Sequence, residues 1–276
     1  MTRVERRRRC GIRVGFLSSR RRRRLLSGLG TLVAPLAGCA GRSNTATTAE
    51  RRGADRDVRL IGHRGCADRY PENTIEAVQG SAPHVDMVEV DVQRCGSGEL
   101  VVFHDDRLDR LTDASGSVRT TDWEVLEDLT VLDSEETIPR LSDLLAAVPD
   151  GTGVNVELKH GGIAEDVLSA SDGVANDILF SSFSPTALSE LREQDGDAEL
   201  AFLFTDSPEI SRSIATDLGC VAVHPDTRLV FETDIVGNAH DDGFEVNAWT
   251  VEDHETATRL VDEGVDGMFV NDWTVR

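Results

Sequence analysis

From Val58 onward the chain alternates short apolar runs with stretches in which apolar residues recur every three or four positions. Short runs bounded by turn residues read as strands, and the 3.6-residue spacing reads as helices. Strands are predicted near 58–62, 87–92, 153–158, 177–181, 199–203, 219–223, 244–248 and 267–270. A further strand, 99–103, follows the Gly96-Ser97-Gly98 turn and makes a hairpin with the second. Helices are predicted at 74–81, 141–147, 163–170, 185–194, 207–216, 231–239 and 252–263, the last with Ala257, Leu260, Val261 and Gly264 on one spacing. Eight strands, mostly followed by helices, predict an α/β fold: a (β/α)8 TIM barrel in a single domain, with a small extra hairpin strand after strand two. An open doubly wound sheet is the alternative. There is no tandem repeat and no sign of a second domain.

Charge changes the picture at both ends of the chain. Residues 1–38 hold 11 arginines and one acid, Glu5, whereas residues 39–276 carry 18 bases against 49 acids, a net −31. So negative a body excludes nucleic acid as a partner. Many acids, few aromatics and a single lysine against 28 arginines resemble the composition of halophilic proteins. The basic head has the layout of an export signal: Arg20 to Arg24 precede a short apolar stretch, Leu25 to Ala37. Adjacent arginines suit the twin-arginine route. Leu36-Ala37-Gly38-Cys39 resembles a lipobox, which makes Cys39 the expected lipidation site. The expectation is therefore a signal peptide over 1–38, a flexible tether over 39–57 and the barrel over 58–276. The protein would be exported and held on the outer face of the cell membrane by its N-terminal lipid alone; a misassigned start codon would instead leave it cytoplasmic. Of the later cysteines, Cys66 and Cys95 lie just past strands one and two, where a disulfide is geometrically permitted. Two free thiols are the alternative.

The candidate chemistry sits at strand ends. Strand one runs into His63-Arg64-Gly65 and then Pro71-Glu72-Asn73-Thr74, in which Asn73 and Glu76 could form a capping box. An imidazole beside a guanidinium suits a phosphate. Strand two carries Glu89-Val90-Asp91, two carboxylates on one strand face. Such a pair is also found on solvated faces; within an apolar strand it calls for a hard cation, Mg²⁺ or Ca²⁺. The hairpin strand delivers Phe103-His104-Asp105 to the same rim, and Val156-Glu157-Leu158-Lys159 ends strand three. Glu157 could complete a metal shell, with Lys159, the single lysine, on its face of the strand. Two histidines at one rim form a candidate acid/base pair.

These segments resemble the glycerophosphodiester phosphodiesterase family. The resemblance extends through Ile138-Pro139-Arg140-Leu141, Ser182-Phe183 and Asn247-Ala248-Trp249-Thr250, from about residue 58 to the C-terminus. It implies a TIM barrel that hydrolyses glycerophosphodiesters to an alcohol and glycerol 3-phosphate. It further implies Glu89, Asp91 and Glu157 as metal ligands, and His63 and His104 as the catalytic pair. Arg64 and Lys159 would hold the phosphate, and Trp249 would line the glycerol side. Two positions depart from the family pattern: Asn271-Asp272 stands where Thr-Asp is usual after strand eight, and Cys95 and Ser97 replace a threonine and an acid after strand two. Neither removes an implied ligand. Two other functions fit the same residues: a phospholipase D-like lyase of the same barrel group that forms a cyclic phosphate, and a non-catalytic lipoprotein that captures phosphodiesters. The oligomeric state is left open.

Overall fold

In a computed structural model of the chain, residues 58–276 are described; the expected signal peptide, Cys39 and the tether lie outside them. The strands are β1 (Arg59–Gly62), β2 (Met87–Arg94), β3 (Leu100–Val102), β4 (Gly153–Leu158), β5 (Ile178–Ser182), β6 (Glu199–Phe204), β7 (Ala222–Pro225), β8 (Glu245–Val251) and β9 (Gly267–Val270). The helices are α1 (Ile75–Ser81), α2 (Trp123–Leu126), α3 (Leu141–Ala147), α4 (Ala164–Ser171), α5 (Pro185–Gln194), α6 (Pro208–Asp217), α7 (Thr227–Glu232), α8 (Ile235–Asp242) and α9 (His254–Glu263). Eight parallel strands close into a barrel because β1 pairs with both β9 and β2. The open-sheet alternative is thereby excluded. β3 stands outside the ring, antiparallel to the far end of β2, with Val92 opposite Val102. It is the extra hairpin strand read from the Gly96-Ser97-Gly98 turn.

The period-2 alternation of the strands divides the core in two. Val88, Val90 and Val92 of β2, and Val154, Val156 and Leu158 of β4, face out and pack with Leu141, Leu145 and Val167 of the helical layer. The intervening positions face the barrel axis. Its lower part is filled by Ile61, Met87, Leu179, Ala201, Ala222 and Phe269. Further up the same face β2 carries Glu89 and Asp91, and the β2–β4 register sets Asp91 directly beside Glu157.

A third cluster lies between β3 and α3, where no periodic element was predicted. Val101, Phe103, Leu108, Leu111, Val118, Trp123, Leu126, Val131 and Ile138 bury one another under 3-10 turns and the one-turn α2. Arg140 lies over the Trp123 ring, 4.5 Å from its centroid, and ties this cluster to the start of α3.

Some expectations need correction. The predicted 231–239 helix is two helices, α7 and α8, separated at Thr233-Asp234. β7 begins three residues and ends two residues later than the predicted 219–223 strand, so that the buried His224 lies within it. Thr74 rather than Asn73 caps α1, its hydroxyl accepting from the Ala77 N–H at 3.2 Å. Cys66 and Cys95 are free, buried thiols and not a disulfide. Cys66 takes a left-handed conformation (φ 66°) that turns its sulfur under Gly62 and toward Ser81. Cys95 instead packs into the third cluster, its thiol donating to Glu99 at 3.4 Å. The two side chains leave neighbouring strands in different directions.

Candidate active site

His63, Arg64, Glu89, His104, Glu157, Lys159 and Trp249 line one cleft, with Asp91 beside Glu157. Glu89, Asp91 and Glu157 each direct a carboxylate oxygen to a common point, within 4.8 Å of one another. All three are buried. Glu89 Oε2 accepts from the Arg64 backbone N–H at 2.7 Å, but Oε1 is buried without a partner. An orphaned carboxylate oxygen facing two more carboxylates is the donor set that suits a hard divalent cation.

Without a cation these carboxylates strain each other's ionisation. Burial, together with the charges of Asp91 and Glu157, pushes Glu89 well above the usual carboxylate range. Burial and the Asp91 charge likewise raise Glu157 to about 7. Asp91 is the exception. Burial would raise it, but Lys159, His104, Arg64 and a hydrogen bond from Asn73 outweigh burial and hold it at about 2. Asn73 sits at φ 61° and clasps Asp91 from both sides: its Nδ2 donates to Oδ2 at 2.8 Å and its Oδ1 accepts from the Asp91 N–H at 3.1 Å.

Lys159 is no stray surface lysine. Its Nζ donates to Glu157 Oε1 at 2.7 Å and lies 3.3 Å from Asp91 Oδ1. Arg64, in a left-handed turn after β1 (φ 53°), reaches Glu72 through Nη1 at 2.9 Å, and its Nε lies 3.5 Å from Asp91. The site thus concentrates two cations in a chain that is otherwise strongly acidic.

The two histidines line the same cleft as Arg64, Glu89, Glu157 and Lys159. Both rings are held through Nδ1. His63 Nδ1 is 2.7 Å from Asn271 Oδ1, and His104 Nδ1 is 2.6 Å from Asp105 Oδ1. Burial, reinforced by the Arg64 charge, lowers His63 to about 4, so the ring is neutral at pH 7. The loop of His104 is pinned by Gln93, whose Nε2 donates to the Phe103 and Asp105 carbonyls at 2.8 and 2.9 Å. Opposite the charged wall stand Phe183, Leu203, Trp249 and Phe269. Trp249 meets Phe183 edge-on at 5.3 Å and is fixed by its indole N–H, which donates to the His224 carbonyl at 2.8 Å.

Sequence reasoning missed the supporting residues. Glu72 and Asn73 belong to the Pro71-Glu72-Asn73-Thr74 motif, in which the capping-box reading accounted for Asn73 and left Glu72 without a role. Asn271 was noted only as a departure. Arg110 lies in the non-periodic segment, and of its two carboxylate partners Glu72 is 38 residues away.

A profile of the Glycerophosphoryl diester phosphodiesterase family matches residues 63–275. A glycerophosphodiester phosphodiesterase of Caldanaerobacter subterraneus is 28% identical over 231 residues, covering 77% of this chain and 93% of that protein. A probable glycerophosphodiester phosphodiesterase 2 of Mycobacterium tuberculosis is 31% identical, covering 76% of this chain and 86% of its own length. Among solved structures, an Oleispira antarctica phosphodiesterase in complex with the product sn-glycerol-3-phosphate superposes with a TM-score of 0.70 at 28% identity. The match covers 77% of this chain and 92% of that one.

Proposed function

The chain belongs to the glycerophosphoryl diester phosphodiesterase family, and from that premise we propose a cation-dependent hydrolase that splits glycerophosphodiesters into an alcohol and glycerol 3-phosphate by histidine acid/base catalysis. The observation that carries this reading is the pair of Nδ1-anchored histidines in one cleft with the buried acidic trio. Glu89, Asp91 and Glu157 would hold Mg²⁺ or Ca²⁺, which when bound would draw negative charge off the phosphoryl oxygens. Arg64 and Lys159 supply positive charge at the same place, and the aromatic wall with Trp249 receives the glycerol carbon chain.

The partners of the two rings differ in charge, and this suggests a division of labour. Asn271 Oδ1 is a neutral acceptor, so His63 carries its proton on Nδ1 and presents a bare Nε2. His63 takes the proton of the attacking hydroxyl. Asp105 is an anionic acceptor that fixes the His104 ring through Nδ1. His104 gives a proton from Nε2 to the departing alkoxide. Whether water or a hydroxyl of the substrate attacks first is read from the product, since only the second route forms a cyclic phosphate.

The proposal extends to the cell: the protein is exported and tethered by a lipid on Cys39, with the barrel outside. The deciding assay supplies glycerophosphocholine, glycerophosphoglycerol and glycerophosphoethanolamine in molar salt, with and without Mg²⁺ or Ca²⁺, and follows products by phosphorus NMR. Glycerol 3-phosphate is the expected product. A stable cyclic phosphate would favour the lyase reading, and binding without turnover of any diester would favour the capture protein.

A further inference from the structure

The guanidinium of Arg110, which comes from a turn outside the barrel strands, makes four hydrogen bonds to the two carboxylates that hold the site's side chains. Arg110 belongs to the 3-10 turn Leu108–Arg110. Leu108 and Leu111, on either side of it, are each 1% exposed in the third cluster, so the turn is anchored while Arg110 projects from it. Its Nη1 and Nη2 donate to Glu72 Oε2 and Oε1, both at 2.8 Å. Its Nε and Nη2 donate to Asp105 Oδ2 and Oδ1 at 2.7 and 2.9 Å. Each carboxylate passes the contact on. Glu72 Oε1 also accepts Arg64 Nη1 at 2.9 Å, and Asp105 Oδ1 also meets His104 Nδ1 at 2.6 Å.

We infer that Arg110 is a positioning residue that fixes, through one planar guanidinium, both the phosphate-binding Arg64 and the proton-transferring His104. This rests on the roles proposed above for those two residues. An ordinary surface ion pair contributes little, but this geometry is not ordinary. Glu72 is 8% exposed and accepts from two arginines at once. Burial would favour its neutral form, yet the hydrogen bonds of Arg110 and the charge of Arg64 keep it below its usual range. Asp105 is likewise lowered, with Arg110 as its largest influence. A lysine could not serve, because a point-like ammonium lacks the fork that meets two carboxylates in one plane. The site therefore depends on a segment outside the barrel: the non-periodic stretch after β3 supplies the residue that sets the spacing between Arg64 and His104.

The test compares the whole protein with Arg110→Ala and Arg110→Lys in molar salt, on whichever diester the wild type turns over best. Arg110→Ala should lose about 10²-fold in kcat/KM, the scale of an ångström-sized misplacement, with KM raised and kcat lowered together. Arg110→Lys should recover little of this. Free guanidinium ion should restore part of the turnover of Arg110→Ala, because the vacated place is open to solvent: the Arg110 side chain is 47% exposed. Ca²⁺ affinity of the variant, measured by calorimetry, should match the wild type, since no member of the acidic trio touches Arg110. In a double-mutant cycle, Arg110→Ala should cost much less on a His104→Ala background than on the wild type. The inference is overturned if Arg110→Ala stays within twofold of the wild type. It is overturned equally if Arg110→Lys is fully active, or if the costs with His104→Ala are additive. A wild type that turns over no diester removes the functional reading, and this inference with it; an active wild type beside an unaffected variant removes the inference alone.

Discussion

At the scale of single residues, the site is a set of charges that only a cation and a phosphate would reconcile. Without the cation, burial and neighbouring carboxylates favour protons on Glu157, raised to about 7, and on Glu89, raised well above the usual carboxylate range. Cation binding must displace them. Calorimetric titration of chelator-treated protein with Ca²⁺ at pH 6, in buffers of different ionisation enthalpy, should report at least one proton released per ion. The release should shrink by pH 8.5, and apparent affinity should fall as pH falls, because protons then compete for the same oxygens. Chelation should abolish hydrolysis, and Mg²⁺ or Ca²⁺ should restore it. For the histidines, His63→Ala and His104→Ala should each lower turnover by about two to four orders of magnitude, with melting temperature and Ca²⁺ binding largely kept. Near-normal turnover in either would make that ring structural. All of these side chains were legible in sequence because strand-end position and residue type coincide. Asn73 and Arg110 were not, because their meaning lies in partners 18 and 38 residues away.

At the scale of elements, the third hydrophobic cluster decides whether His104 is in place. It holds Phe103, the residue before His104, and Leu108, two residues before Arg110. Leu126 is fully buried within it on the one-turn α2. Leu126→Ala should cost about 2–5 kcal/mol, read as a lower denaturation midpoint in molar salt, and activity should fall with it. The same elements show where the sequence signal runs out. Strands β2 and β4 announced themselves because Val88, Val90, Val154 and Val156 alternate with inward polar residues. The 104–140 segment also buries apolar residues, but they sit on 3-10 turns, loops and the one-turn α2, which impose no period a linear reading can detect. The α7–α8 break was missed because the predicted 231–239 helix took in only the last two residues of α7 and left Leu229 and Val230 unassigned.

At the scale of the whole molecule, charge dominates. With 49 acids against 18 bases after residue 38, repulsion acts over about 30 Å at 0.01 M salt and about 3 Å at 1 M. The melting temperature should therefore drop steeply on dialysis into low salt, and an unchanged value would contradict a halophilic origin for this composition. The same excess would repel an anionic substrate, and Arg64 and Lys159 are the positive charges proposed to meet it at the barrel mouth. Export is tested at Cys39. In the native host, Cys39→Ala should release the protein to the medium or leave its signal uncleaved, whereas an unprocessed cytoplasmic wild type would refute the anchor.

The contact between His63 and Asn271 spans 208 positions. It forms only when β9 has docked against β1, the step that closes the ring. During synthesis the ribosome must therefore deliver nearly the whole chain before His63 acquires its partner. Nascent fragments, however well their early strands pair, are expected to be chemically silent, and competence arrives with the final turn of the barrel. Purified chains stopped before Asn271 should turn over diesters no faster than an Asn271→Ala variant of full length.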